Sequence, residues 1–206
     1  MVMNETGQKS GRGIREKTFG MLYGIGIGPG DPELLTLKAV RLIRHADVIA
    51  FPGKEAAKSF AYRTAAAAVP EIEEKKFEGL YFPMTSDEGK LRQAISEAAE
   101  KLEGYLREGL DVAFLSIGDI SIYSTYLYVQ DIVKEDAFET RMVPGIPSFC
   151  AAAASLQTDL ARQDGMLHII PATGGISEAM GLPGTKVFLK AGSCMGEIRD
   201  RALERG

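Results

Sequence analysis

The sequence predicts an α/β fold built on a parallel sheet with helices on its faces, and three observations predict it. Short apolar runs of strand length alternate with longer segments whose apolar residues recur at helical spacing. Turns rich in glycine and proline end those runs: Gly28-Pro29-Gly30-Asp31-Pro32, Pro52-Gly53, Gly118-Asp119 and Pro144-Gly145. A composition of 45% hydrophobic and 25% charged residues lets a 206-residue chain bury a core without disulfide or metal support.

Residues 1–18 are polar and glycine-rich with no apolar period, and read as a disordered tail. Residues 21–27 read as a buried strand, broken by Gly24 and Gly26 where another backbone comes close. Leu34, Leu35, Leu37, Val40, Leu42 and Ile43 then recur on one helical face, with Asp31 placed as N-cap and Pro32 at the first position, which predicts a helix over 32–45. Residues 47–51 give a second strand, and 56–68 an alanine-rich helix halted before Pro70. An amphipathic helix over 91–106 stops before Gly109. A third strand over 111–117, a helix over 123–133 and a fourth strand over 139–143 complete the alternation. Beyond Pro147 follow a small-residue helix over 148–156, strands over 166–170 and 186–191, and a helix over 195–204. This divides the chain into domains 19–145 and 146–206. The second holds too few elements for a full sheet, so it is expected to be incomplete and the chain truncated.

Charge and cysteine usage exclude several functions. Twenty-four basic against 28 acidic residues leave a net charge of −4, without the basic excess of a nucleic-acid binder. Two isolated cysteines, Cys150 and Cys194, make neither a disulfide framework nor a Cys-x-x-Cys metal site, and two histidines form no His-x-x-x-His pair, so no metal is expected. With no apolar leader segment and no apolar stretch of about 18 residues, the expectation is a cytoplasmic protein without a membrane partner.

Three glycine turns, at 26–31, 117–120 and 144–146, each follow the carboxyl end of a predicted strand, where ligands of open α/β sheets bind. Glycine there admits positive φ and lets a ligand approach the backbone. Gly24-Ile25-Gly26 is followed by Pro29 where a dinucleotide fingerprint needs glycine, and neither G-x-x-x-x-G-K-[ST] nor G-x-S-x-G occurs. The string Tyr23-Gly24-Ile25-Gly26-Ile27-Gly28-Pro29-Gly30-Asp31-Pro32-Glu33-Leu34-Leu35-Thr36 instead resembles the opening signature of the tetrapyrrole methylases. Ser116-Ile117-Gly118-Asp119-Ile120 is similar to the family's second loop, with Ile120 in place of the usual proline, and Val143-Pro144-Gly145-Ile146-Pro147-Ser148 to its third. The run Ser121-Ile122-Tyr123-Ser124-Thr125-Tyr126 and the turn Phe51-Pro52-Gly53-Lys54 most resemble the branch acting at C(20) of precorrin-2 or cobalt-precorrin-2.

The resemblance implies two αβα domains, S-adenosyl-L-methionine as methyl donor between them, a tetrapyrrole acceptor on the route to cobalamin, and a homodimer. It implies donor contacts at Pro29, Ile117, Gly118, Asp119, Ile120, Ile122, Pro147, Ser148 and Lys190. Plainer readings stand beside these: Pro29 as turn punctuation, Asp119 as a helix cap, Ile122 as core, Ser148 satisfying early helix amides, and Lys190 solvated at a strand end. Ser124, Thr125 and Tyr126, expected on the first turn of the helix after the second loop, are candidate substrate contacts, with Tyr126 equally suited to the core. Tyr123 is the candidate catalytic group. Lys54 is a further substrate candidate; with Lys58 and Arg63 it flanks the second strand's exit, where cations would steer a polycarboxylate. His45 and His168 receive no role. A sister methylase acting at another ring position, or a non-catalytic ligand-binding module of the same fold, are the alternatives.

Overall fold

Period-two alternation along each apolar run decides which helices its side chains meet. The computed structural model describes residues 19–85 and 87–204, so the tail expected over 1–18 lies outside the described residues. Contacts divide the chain into two units between Gly145 and Ile146. The first holds strands β1 (Leu22–Gly26), β2 (Val48–Pro52), β3 (Lys76–Leu80), β4 (Val112–Ser116) and β5 (Thr140–Val143). All pair in parallel, in the order β3-β2-β4-β1-β5. Helices α1 (Leu37–His45), α2 (Phe60–Ala68), α3 (Glu88–Arg107) and α4 (Tyr126–Glu135) connect them.

Ile25, Ile49, Phe51, Ala113 and Leu115 pack with Ala39 and Ile43 of α1 and Ala61, Tyr62 and Ala65 of α2. The alternate residues Leu22, Val48, Ala50, Val112 and Phe114 pack with Ile95, Ala99 and Leu102 of α3 and Val129 and Val133 of α4. Two helices thus cover each face, which makes this unit an αβα sandwich. Burial on both faces is why the central strands read as continuous apolar runs.

Three of the expected helices differ from expectation. The helix expected over 32–45 is two pieces: Asp31 caps a short 3-10 turn, Pro32–Leu34, by accepting from the Glu33 amide, and Leu35 and Thr36 are extended. Thr36 Oγ1 then accepts from Ala39 N at 3.1 Å and starts α1. The segment over 56–68 splits likewise at Ser59, whose hydroxyl accepts from Tyr62 N and donates to Pro52 O, fastening α2 to the end of β2. The helix expected over 123–133 begins at Tyr126, because Tyr123 has φ of 50°, which no right-handed helix accepts. β3 was not predicted. Its sequence Lys-Phe-Glu-Gly-Leu carries two charges, which an edge strand paired with β2 alone can place: Lys76 is exposed, and Glu78 pairs with Lys101 and accepts from the Tyr105 hydroxyl of α3.

The second unit contains α5 (Ser148–Ser155), β6 (Leu167–Pro171), α6 (Ile176–Met180), β7 (Thr185–Leu189) and α7 (Met195–Leu203). β6 and β7 form a two-stranded parallel sheet, paired from Leu167 with Thr185 to Pro171 with Leu189. Among the described residues, no helix is long and apolar enough to cross a membrane.

Tyr126 is fully buried, with its ring centroid 5.3 Å from that of Phe114. A Cβ built on Gly24 would come within 2.3 Å of that ring, so the glycine in mid-strand makes room for the tyrosine. Tyr126→Ala is expected to cost about 3–5 kcal/mol in urea unfolding. Tyr126→Phe is expected to stay within about 1 kcal/mol, because its hydroxyl reaches Arg141 O only at 3.5 Å.

Candidate functional site

A parallel sheet puts every strand's carboxyl end on one rim, and the strand order places β4, β1 and β5 side by side. The three glycine turns therefore leave adjacent strands, and they interlock. Gly118 N donates to Gly28 O at 2.7 Å and Gly28 N to Gly118 O at 3.2 Å, an antiparallel bridge between first and second turns. Gly145 N donates to Asp119 Oδ2 at 2.9 Å, joining second and third. A Cβ on Gly145 would lie 2.2 Å from Gly118 O, and one on Gly26 would lie 2.7 Å from Gly145 N. No side chain fits at either position without driving the turns apart.

Gly118 differs from those two. It has φ of 73°, and a Cβ built on it would meet nothing within 4 Å. Gly118 itself is buried, yet a side chain there would enter open space, so the turns enclose a hollow beside the second turn. Ile117, partly exposed, stands beside it. Pro29 is half-buried between two glycines of positive φ, Gly28 and Gly30.

Asp119 caps no helix. Its Oδ1 accepts from both the amide and the hydroxyl of Ser121, and its Oδ2 holds Gly145. Burial pulls its carboxyl pKa up, but the Ser121 hydroxyl and the two amides outweigh that and leave it below the ordinary aspartate value. Behind the second turn, Ser116 Oγ and Ser124 Oγ share a hydrogen bond of 3.0 Å, tying the end of β4 to the segment before α4.

The remaining sequence candidates fall into three groups. Ile120, Ser124 and Tyr126 are interior: the Ile120 side chain lies in the α3–α4 core, Ser124 is buried against Ser116, and Tyr126 is fully enclosed. Their side chains are enclosed by the protein, so Ser124 does not present its hydroxyl on the surface, Tyr126 takes the core alternative, and Ile120 has only its backbone near the turn. Ile122, Tyr123 and Thr125 stay near the surface in the turn before α4, with Tyr123 43% exposed and held at a φ that tyrosine rarely adopts. Pro147, Ser148 and Lys190 belong to the second unit: Pro147 and Ser148 start α5, and Lys190, exposed just after β7, also has positive φ of 57°. Lys54 is exposed after β2, with Nζ 4.5 Å from the centroid of the Tyr81 ring.

Sequence reading missed two neighbours of the rim. A Cβ on Gly30 would come within 2.6 Å of Phe60 Cζ, so the ring at the start of α2 lies against the first turn. Tyr81 follows the unpredicted β3. An aromatic at a helix start gave no signal by itself, since nothing in the sequence shows which turn it meets.

A profile of the Tetrapyrrole (Corrin/Porphyrin) Methylases matches residues 21–206. The chain is a member of this family. It is 40% identical over 151 residues to the "Probable cobalt-precorrin-2 C(20)-methyltransferase" of Methanocaldococcus jannaschii, covering 73% of this chain and 63% of that protein. It is 33% identical over 197 residues to a Sinorhizobium precorrin-2 C(20)-methyltransferase, covering 89% and 78% respectively. The chain thus spans less than two thirds of the first of these relatives. Among solved structures, a cobalt precorrin-4 methyltransferase superposes with a TM-score of 0.69 at 22% identity, covering 89% of this chain and 74% of that one, which establishes the methylase fold.

Because Asp119 holds the second and third turns together as an ionised group, Asp119→Asn is expected to lower stability by about 1.5–3 kcal/mol at neutral pH. A carboxyl whose folded pKa is depressed stabilises above its unfolded value of about 3.9, and loses that contribution as pH falls through the folded value. Urea unfolding at a series of pH values should therefore show the gap between natural chain and variant closing below that range.

Proposed function

We propose that this chain transfers a methyl group from S-adenosyl-L-methionine to the C(20) meso carbon of precorrin-2 or cobalt-precorrin-2, a step in cobalamin biosynthesis. The observation that carries the reading is the cradle itself: three interlocked turns at the carboxyl ends of adjacent strands, with open space over Gly118. The names of the C(20)-methylating relatives favour the ring position. The reading includes a homodimer working in the cytoplasm, for which light scattering during gel filtration is the test.

The residues present suit the donor. The backbone around Gly118 leaves room for an adenosyl group, Ile117 and Ile122 supply apolar surface, and Pro29 borders the same turns. Asp119 acts as a positioning residue that fixes Gly145, with lone pairs left for the donor's amine or hydroxyls. The family resemblance adds the Ile120 backbone, Pro147, Ser148 and Lys190 to the donor's contacts.

When bound, S-adenosyl-L-methionine supplies a sulfonium methyl group already activated for displacement. What the protein adds is alignment and exclusion of water, and alignment contributes about 7–11 kcal/mol in favourable cases. The turns are suited to it because each is braced by another rather than by solvent. Methylation of a ring carbon must be followed by loss of its proton. Tyr123 is the group proposed to assist, since its strained backbone presents a partly exposed phenol beyond the second turn. Thr125 and Lys54 are the surface candidates that remain for acceptor contacts.

Three measurements test the reading. Anaerobic incubation with the donor and precorrin-2 or its cobalt form should give a singly methylated product with the new carbon at C(20) by NMR; methylation at another position would point to a sister activity. Gly118→Ala should shift the melting temperature little, since positive φ costs alanine only about 1–2 kcal/mol, yet weaken S-adenosylhomocysteine binding at least roughly tenfold by calorimetry, because its methyl group fills the cradle. Tyr123→Phe should lower kcat while leaving donor binding unchanged, and unchanged turnover would remove the phenol from the mechanism.

A further inference from the structure

Lys54, Lys58 and Arg63 flank the rim, and the structure separates them. Lys58 is neutralised by Glu55, Nζ to Oε1 at 2.8 Å. Lys54 and Arg63 form no ion pair among the described residues. Each instead sits over an aromatic ring: Lys54 Nζ lies 4.5 Å from the Tyr81 centroid, and Arg63 Cζ lies 5.9 Å from the Phe60 centroid. Both rings remain open to solvent, Tyr81 56% and Phe60 49% exposed.

The two pairs are placed by the fold on the side of the rim away from β5. Gly53 N donates to Leu80 O at 2.8 Å, so the turn that carries Lys54 folds over the end of β3, where Tyr81 follows. Phe60 lies against Gly30 of the first turn, and Arg63, exposed one helical turn further along α2, reaches back over the Phe60 ring, so the ring links the cation to the rim. Glu73 lines a groove along α2 with Arg63, and no ion pair joins the two among the described residues.

A cation resting on a ring face keeps its N–H groups directed outward, since the ring is an electrostatic partner and not a hydrogen-bond acceptor in their plane. The aromatic contact also limits the rotamers of a long side chain before any ligand arrives, which reduces the entropy lost on binding. An exposed ring beside each cation offers apolar surface to a flat ligand whose edge carries an acid. This combination of flat apolar body and peripheral carboxylates is what the two pairs together would select.

We propose that Arg63 on Phe60 and Lys54 on Tyr81 are the acceptor-specificity elements of this protein, each receiving a peripheral carboxylate of the tetrapyrrole while its ring contacts the macrocycle edge. The proposal rests on the methylase reading above and adds to it which residues recognise the acceptor. It assigns Lys58, already paired, no part.

The test uses the full chain, with uroporphyrin III and the less carboxylated coproporphyrin III as probes in absorbance titrations and S-adenosylhomocysteine in calorimetry. Arg63→Gln and Lys54→Gln should each weaken uroporphyrin binding roughly tenfold or more, the size expected for a lost hydrogen bond between charged groups. The loss should shrink for coproporphyrin and in high salt, Arg63→Lys should restore part of it, and Lys58→Gln should behave as the natural chain. All four variants should bind S-adenosylhomocysteine normally. If the natural chain binds both ligands and the Arg63 and Lys54 variants bind uroporphyrin equally well, the carboxylate receptors are refuted while the methylase reading stands. If the natural chain binds neither ligand, both fall.

Discussion

The rim of the first unit depends on backbones brought into direct contact. Gly26, Gly118 and Gly145 approach until no Cβ can be inserted at two of the three positions, and their turns exchange hydrogen bonds through Gly28 and Asp119. A concave rim of this kind needs three turns in one place, and residues with side chains would hold them apart. The cost is that glycine loses more backbone entropy on folding than any other residue. The strands beneath provide the rigidity that offsets it.

That dependence runs downward into the core. β4, β1 and β5 must be neighbours for their exits to meet, and their neighbours are fixed by helices packed on both faces. Gly24, two residues before Gly26 on β1, is filled by the Tyr126 ring, so α4 is docked against the same strand that delivers the first turn. The Ser116–Ser124 hydrogen bond fastens the second turn's return path to that helix. Core and rim are therefore one construction. The strained Tyr123 backbone is the point where the chain leaves the second turn and enters α4, and the buried Ser124 and Tyr126 anchor the chain just after it.

Much of this was legible in the residues. Largely apolar runs at 21–27, 47–51 and 111–117 are the signature of strands buried on both faces, and each became a central strand of the sheet, while the strand expected over 139–143 became the mostly exposed edge strand β5. The order of the glycine turns identified the rim. What the residues concealed was local: the charged edge strand β3, the break at Leu35 and Thr36, and the late start of α4. In each case periodicity continued across a point where a single dihedral pair or an edge position made the difference. The sequence leaves Tyr126 open between ligand and core and offers Ser124 as a ligand contact, because a hydroxyl near a functional turn looks the same whether it points outward or into the core.

By itself the sequence determined the alternation of strands and helices and the family, because strand-length apolar runs, helical spacing and a fourteen-residue signature at 23–36 are properties of neighbours along the chain. Only the tertiary structure decided which turns touch, that Asp119 binds a third turn instead of capping a helix, and that Phe60 lies on Gly30 while Lys54 rests on Tyr81. These contacts join residues far apart in sequence. Their partners are chosen by the order in which strands pair, and strand order is a property of packing that no local pattern contains.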